Sequence, residues 1–163
     1  MAGALRALRP FILGAIALVI WPTLDPALVE PPGFLSSNPE RVSQSFTRCG
    51  RGRGHACVID GDTFKLGQRK IRIIGIDAPE THQARCPEEA RLGALATAKL
   101  QSLLNAGPFE MIARFDETRD RYDRDLRVVR RAQAGGGYTS IAGEMRASGL
   151  ARRYLGGLRG GWC

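Results

Sequence analysis

Apolar positions from Cys57 onward come in short runs broken by turn residues. CVID, DTFKL and RKIRIIGI are β-branched and aromatic runs of strand length. Gly61 permits a sharp bend after the first, and Gly67-Gln68 a tight turn between the second and third. The period then changes. CPEEARLGALATAKLQSLLNAG places Leu92, Leu95, Ala96, Leu100, Leu103 and Leu104 on one stripe of a helix. Pro87 lies in its first turn, Glu88 and Glu89 complement its dipole, and Gly107 ends it. FEMIARFD alternates Phe109, Met111, Ala113 and Phe115 with Glu110, Arg114 and Asp116, a half-buried strand. RDLRVVRRA predicts another strand, Gly135 to Gly137 a turn, and TSIAGEMRASGLA a short helix. Three strands, a helix, two strands and a helix predict a mainly β, α+β domain. Its expected form is a five-stranded closed barrel of the OB type, spanning residues 46–163.

The N-terminal pattern is different. Arg6 and Arg9 precede an apolar run from Pro10 to Leu24, the layout of a signal peptide or N-terminal membrane anchor over residues 1–24. Fifteen residues interrupted by Pro22 are short for a full span, which needs about 17–25. Residues 25–45 are Pro-rich and predict a linker. The body is thus expected to be exported, periplasmic or secreted, and to meet the membrane only through its N-terminal segment.

Composition narrows the partner. The chain has 163 residues, 44% of them apolar, enough for one cored domain. Lys plus Arg number 24 against 16 Asp plus Glu, a net charge of +8. Only Lys65, Lys70 and Lys99 are lysines. Arginine suits planar, bidentate recognition of phosphate, and such a surface favours polyanions. A basic surface with no such partner is the competing reading.

Export makes the four cysteines informative, because oxidised pairs are the default there. The sequence has no CxxC, and His55 and His82 complete no zinc ligand pattern. Three pairings are open. The short Gly-rich loop favours Cys49 with Cys57, leaving Cys86 with Cys163; a free or intermolecular Cys163 is the alternative.

Asp62, Asp77 and Glu80 lie near strand ends, with Arg72 inside the third run and Arg124 in RDRYDRDLR. Isolated aspartates often serve only turns, and Asp60-Gly61 reads that way. Together, however, carboxylates can hold a hard cation and supply a base, while arginines offset phosphoryl charge.

VIDGDTFKL, IRIIGIDAPE, DRYDRDLRVV and MRASGLA, in that order and at compatible separations, resemble the staphylococcal-nuclease-like (thermonuclease) family over about Cys57 to Tyr154. The resemblance implies an OB-fold nuclease that hydrolyses DNA, RNA or both with Ca²⁺, leaving 3′-phosphate ends. It implies calcium ligation by Asp62, Asp77 and the Ala78 carbonyl. Glu80 corresponds to the general base, and Arg72 and Arg124 to the phosphate-gripping arginines. A monomer is expected. The alternative is a non-catalytic nucleic-acid-binding OB-fold protein of the cell envelope. Departures from the family are Ala78 for Thr, Asp123 for the Gly of its DRYGR element, Ala142 for Asn, a shorter hairpin at Gly67 and no long C-terminal helix. Strict alternation also places Arg72 and Asp77 on opposite strand faces, so their convergence requires a bulge, with Gly75 the candidate.

Overall fold

The structure, a computed structural model, describes residues 36–50, 54–114 and 118–163. The segment expected to be a signal or anchor and most of the expected linker lie outside them. No helix among the described residues is long and apolar enough to cross a membrane. The fold is mixed α+β, with two helices among the described residues and one curled, mixed sheet forming a half-barrel.

The expected strands form with local adjustments. They are β3 (Ala56–Asp60), β4 (Thr63–Leu66) and β5 (Arg69–Ile73), then β7 (Phe109–Ile112) and β8 (Asp125–Ala132). Two still shorter strands precede them, β1 (Glu40–Val42) and β2 (Thr47–Arg48). The sheet order is β1-β7-β8-β5-β4-β3-β2. β5 and β8 pair in parallel, as do β2 and β3, while the other ladders are antiparallel. β9 (Tyr138–Ser140) pairs with β8 where the sequence predicted the start of the last helix.

The ladders do not close a five-stranded barrel. Among the described residues, no ladder joins β7 to β3. The chain from Glu40 to Arg48 bridges that gap, pairing first with β7 and then with β3. Phe46, between the two pairings, is buried against Phe64 and Phe109, with ring centroids 5.5, 5.8 and 6.1 Å apart. Asn105 fixes its main chain from both sides. Asn105 Oδ1 accepts from Phe46 N at 2.7 Å, and its Nδ2 donates to Phe46 O at 2.9 Å. The folded body therefore begins before Phe46, inside the segment read as linker.

Helix α1 (Pro87–Asn105) packs across one side of the sheet. Its buried face is rotated from the expected stripe. Gly93, Ala96, Thr97, Leu100, Leu103 and Leu104 are buried, Leu92 is half-buried and Leu95 is exposed. Small residues at 93 and 96 permit a backbone approach that leucines would prevent. Helix α2 (Ile141–Ala147) is capped by Ser140, whose Oγ accepts from Gly143 N at 3.1 Å. Ala142 is buried there.

Both predicted disulfides are present, Cys49–Cys57 and Cys86–Cys163. The second joins the N-cap of α1 to the last residue of the chain.

Candidate phosphate-binding cleft

The run RKIRIIGI forms two strands rather than one. β5 ends at Ile73, Gly75 turns with φ 86°, and β6 (Ile76–Asp77) begins a new direction. Glycine enters this left-handed region without the Cβ clash other residues meet. The break at the position expected for a bulge lets Arg72 reach both Asp62 and the carbonyl of Ile76, the residue before Asp77. Arg72 pairs with Asp62 through Nη1 and donates from Nη2 to the Ile76 carbonyl at 3.3 Å. Asp62 also accepts from the Thr63 hydroxyl at 2.7 Å and from Ala78 N at 3.1 Å. Both side chains are almost fully buried. Here lies the reason for an arginine inside an apolar run: it neutralises a buried carboxylate.

Asp77 is also buried. β10 (Arg152–Arg153) pairs antiparallel with β6 and sets Arg152 opposite Asp77. Arg152 Nη2 and Nε reach Asp77 Oδ2 at 2.8 and 3.1 Å. Asp77 Oδ1 is buried without a hydrogen bond, although Arg159 Nε stands 3.3 Å away as an ion-pair partner. The tail arginine thus supplies charge there without satisfying the lone pairs.

Above this network is an open cleft of about 750 Å³, whose lining includes Arg72, Glu80, Arg121, Tyr122, Arg124 and Arg159. Arg72, Glu80 and Arg124, from distant parts of the chain, share it. Asp62, Asp77 and Ala78 lie in the layer of chain that supports it. Arg124 is held by Asp120, with Nη2 and Nε at 2.6 and 2.7 Å from Oδ2. Arg121 and Arg124 both stack on the exposed Tyr122 ring, at 4.9 and 5.3 Å from its centroid. Asp123 is the only non-glycine residue at positive φ among those described, at 58°, so an aspartate does adopt the left-handed backbone there. Its carboxylate pairs with Arg119 at 2.8 Å, which draws that charge away from Arg124.

Glu80 is positioned by its main chain. A Cβ on Gly93 would lie 2.5 Å from Glu80 O and 2.8 Å from Glu80 C, so α1 rests directly on this peptide. Gly61 is equally confined, its added Cβ falling 2.7 Å from the Ala78 methyl and 2.5 Å from that of Ala96. Residue 78 is therefore small where α1 meets the site. Gly93→Ala gains up to about 1 kcal/mol of helix propensity but forces backbone apart, which costs about 1–3 kcal/mol. Net destabilisation and displacement of Glu80 are expected. Urea unfolding checks the first, and a variant as stable as the parent would contradict it.

Asp60, read from sequence as a turn residue, belongs to the site as well. Its Oδ1 accepts from Asp62 N at 3.1 Å. Burial first, then the Asp62 charge with a smaller contribution from Glu80, push its carboxyl up to about 8. A main-chain hydrogen bond from Asp62 opposes the rise. The native state then keeps a proton that the unfolded chain, at 3.8, releases. The stability contributed here is complete below pH 3.8 and is lost as pH rises toward 8. At about 1.4 kcal/mol per pH unit, Asp60→Asn should gain several kcal/mol over the parent between pH 4 and pH 8. Denaturation curves at the two ends measure it; a constant difference would refute the assignment.

The buried, unbonded Asp77 Oδ1 is a hard-oxygen donor of the kind a divalent cation prefers. Among the described residues no three His, Cys, Asp or Glu side chains are grouped to hold a metal ion. An ion here would rest on two carboxylates, the Ala78 carbonyl and water.

Sequence reasoning missed Arg152, Arg159, Tyr154 and Gly93. Only the pairing of β10 with β6 and the C-terminal disulfide bring Arg159 and Tyr154 to the cleft and Arg152 to Asp77. No protein-family model and no curated protein matches the chain.

Proposed function

We propose that this protein is a calcium-dependent nuclease that hydrolyses phosphodiester bonds of DNA, RNA or both outside the cytoplasm. The observation that carries the reading is the single cleft shared by Glu80, Arg72 and Arg124 above buried Asp62 and Asp77. The path β3-β4-β5-β8-β7 is read as an OB-type barrel whose gap is filled by residues 40–48. The net charge of +8 favours a polyanion, and two disulfides suit an exported protein.

In this mechanism Glu80 takes a proton from a water molecule held in the cleft. The water oxygen attacks phosphorus on the side opposite the 5′ oxygen. The new P–O bond forms as the P–O5′ bond breaks, O5′ takes a proton from solvent water and leaves as the alcohol, and Glu80 returns its proton to solvent, so the phosphate stays on the 3′ end. Arg124 and Arg72 offset the negative charge that builds on the phosphoryl oxygens. A Ca²⁺ ion held by Asp62, Asp77 and the Ala78 carbonyl supplies further positive charge against those oxygens when bound.

A second reading also has support. Arg72 and Arg152 already neutralise Asp62 and Asp77, as in a barrel that binds nucleic acid without cutting it. Incubating the oxidised full chain with single-stranded DNA and RNA, in Ca²⁺ and in excess chelator, separates the two. Calcium-dependent cleavage is expected. Binding without cleavage would leave the second reading, and full activity in chelator would remove the cation.

A further inference from the structure

The tail beyond β10 returns across the cleft and is tied down at both ends. Tyr154 N donates to Gly75 O at 3.1 Å, beside the turn that separates β5 from β6. At the far end, Cys163 is bonded to Cys86. Between them, Arg152 bridges Asp77 to the carbonyls of Gly160 and Gly161 and stacks on the Trp162 ring at 4.4 Å. The aliphatic side chains of this stretch do not anchor it, since Leu155 and Leu158 are exposed. Arg159 alone of these neighbours turns inward, reaching Asp77 Oδ1 and Glu80 Oε1, each at 3.3 Å.

Arg72, Arg124 and Arg159 differ in how firmly they are held. Arg72 is buried against Asp62, and Arg124 is gripped through two nitrogens by Asp120. Arg159 is 30% exposed, its contacts are long, and its partner Glu80 is 40% exposed. The half-exposed pair with Glu80 is weak and the buried Asp77 keeps Arg152 when Arg159 leaves, whereas a charge-assisted hydrogen bond to phosphate is stronger than an exposed ion pair. Exchange of carboxylate for phosphate is therefore favourable. Glycines at 156, 157, 160 and 161 flank Arg159, and the first two already adopt positive φ. The backbone here can reorient without moving its anchors. Tyr154 lies between the Arg72 and Arg159 guanidiniums, 5.9 and 5.6 Å from its centroid, so the aromatic ring links the two cations along one wall.

We infer that Arg159 is a third phosphate-gripping arginine, delivered to the cleft by the Cys86–Cys163 tether, which exchanges Asp77 and Glu80 for a phosphate of the bound nucleic acid. The inference rests on the nucleic-acid reading above but not on cleavage. It makes substrate affinity depend on the oxidation state of a bond that lies outside the reacting groups. Reduction releases the last residue, and the effective concentration of Arg159 at the cleft falls.

The test uses the oxidised full chain and a fluorescent single-stranded phosphorothioate oligodeoxynucleotide, with anisotropy read over a range of salt concentrations. Arg159→Gln is expected to weaken binding about 10-fold. It should also reduce the slope of log affinity against log salt by about 0.7, the signature of one lost phosphate contact on a single strand. Arg159→Lys should restore the slope and part of the affinity. Cys163→Ser should reproduce the Arg159→Gln defect, and the double variant should be no worse than either single one. Thermal unfolding of each variant establishes that the fold is retained. Unchanged or tighter binding by Arg159→Gln, with an unchanged salt slope, would overturn the role of Arg159. Tight binding by Cys163→Ser would overturn the tether. Parent chain that binds but does not cut an ordinary oligonucleotide would defeat the nuclease proposal and leave this inference standing. A parent chain that does not bind would overturn both.

Discussion

Glu80→Gln is expected to lose about 10²–10⁴ of turnover while nucleic-acid binding persists, the usual range for removing one general base. The substitution keeps the shape of the side chain and removes its ability to take a proton. Glu80 suits the base role in three respects. Its side chain is 40% exposed to the cleft, so water reaches it. Its main chain is held against α1 at Gly93, which fixes the starting point of the side chain. Its proposed partners on the phosphate, Arg72 and Arg124, line the same cleft. Affinity should hold or rise, because one negative charge leaves a site meant for a polyanion. Single-turnover cleavage measured beside anisotropy separates the two effects. Turnover within a few-fold of the parent would remove Glu80 from the mechanism. Lost binding with matching lost turnover would make it a structural residue.

Arg72→Ala should destabilise the fold by about 3–5 kcal/mol, because it abandons a buried carboxylate. Asp62 would retain only the Thr63 hydroxyl and the Ala78 amide. This cost is a penalty for breaking the pair, not a measure of what the pair contributes. Arg72→Met combined with Asp62→Asn removes both charges and should recover most of the stability. Activity should not recover, since the proposed mechanism needs a cation at 72 and a carboxylate at 62. Arg72→Lys should fall between, because an ammonium cannot serve Asp62 and the Ile76 carbonyl with a planar fork. Urea midpoints and cleavage rates across the three variants distinguish the two roles. A loss below 1 kcal/mol in Arg72→Ala would mean that water reaches Asp62 and that the burial argument fails. Full activity in the doubly neutral variant would remove both residues from the chemistry.

Local features of the chain were legible because their causes are local. Alternation within CVID and TFKL, glycine at 67 and the 3.6-residue period after Pro87 depend on neighbours a few residues away. The tie between Cys49 and Cys57 followed from a short Gly-rich loop, and the one between Cys86 and Cys163 from the few pairings that four cysteines allow. Carboxylates at the strand ends were visible as a pattern, and the structure places Arg72, Glu80 and Arg124 around one cleft. Their chemical roles rest on the proposed function.

What was illegible depends on segments far apart in the chain. Glu40–Val42 and Thr47–Arg48 are too short to announce themselves; they are strands because β7 and β3 offer unpaired edges. RKIRIIGI reads as one strand until Gly75, next to its end, takes positive φ. Leu95 fits the helical stripe yet faces outward, because close contact at Gly93 and Ala96 sets the rotation of α1. Asp60 reads as turn chemistry and does serve the turn, but only folding supplies the burial that, more than the Asp62 and Glu80 charges, raises its proton affinity. Nothing in the sequence singled out Arg152 or Arg159 in their Gly-rich tail. Their place at Asp77 and Glu80 is decided by the register of β10 on β6 and by a disulfide spanning 77 positions. Periodicity and turn chemistry act over a few residues and so are written in the chain itself. Edge pairing, helix rotation and buried charge balance depend on which surfaces meet, and only the tertiary structure decides that.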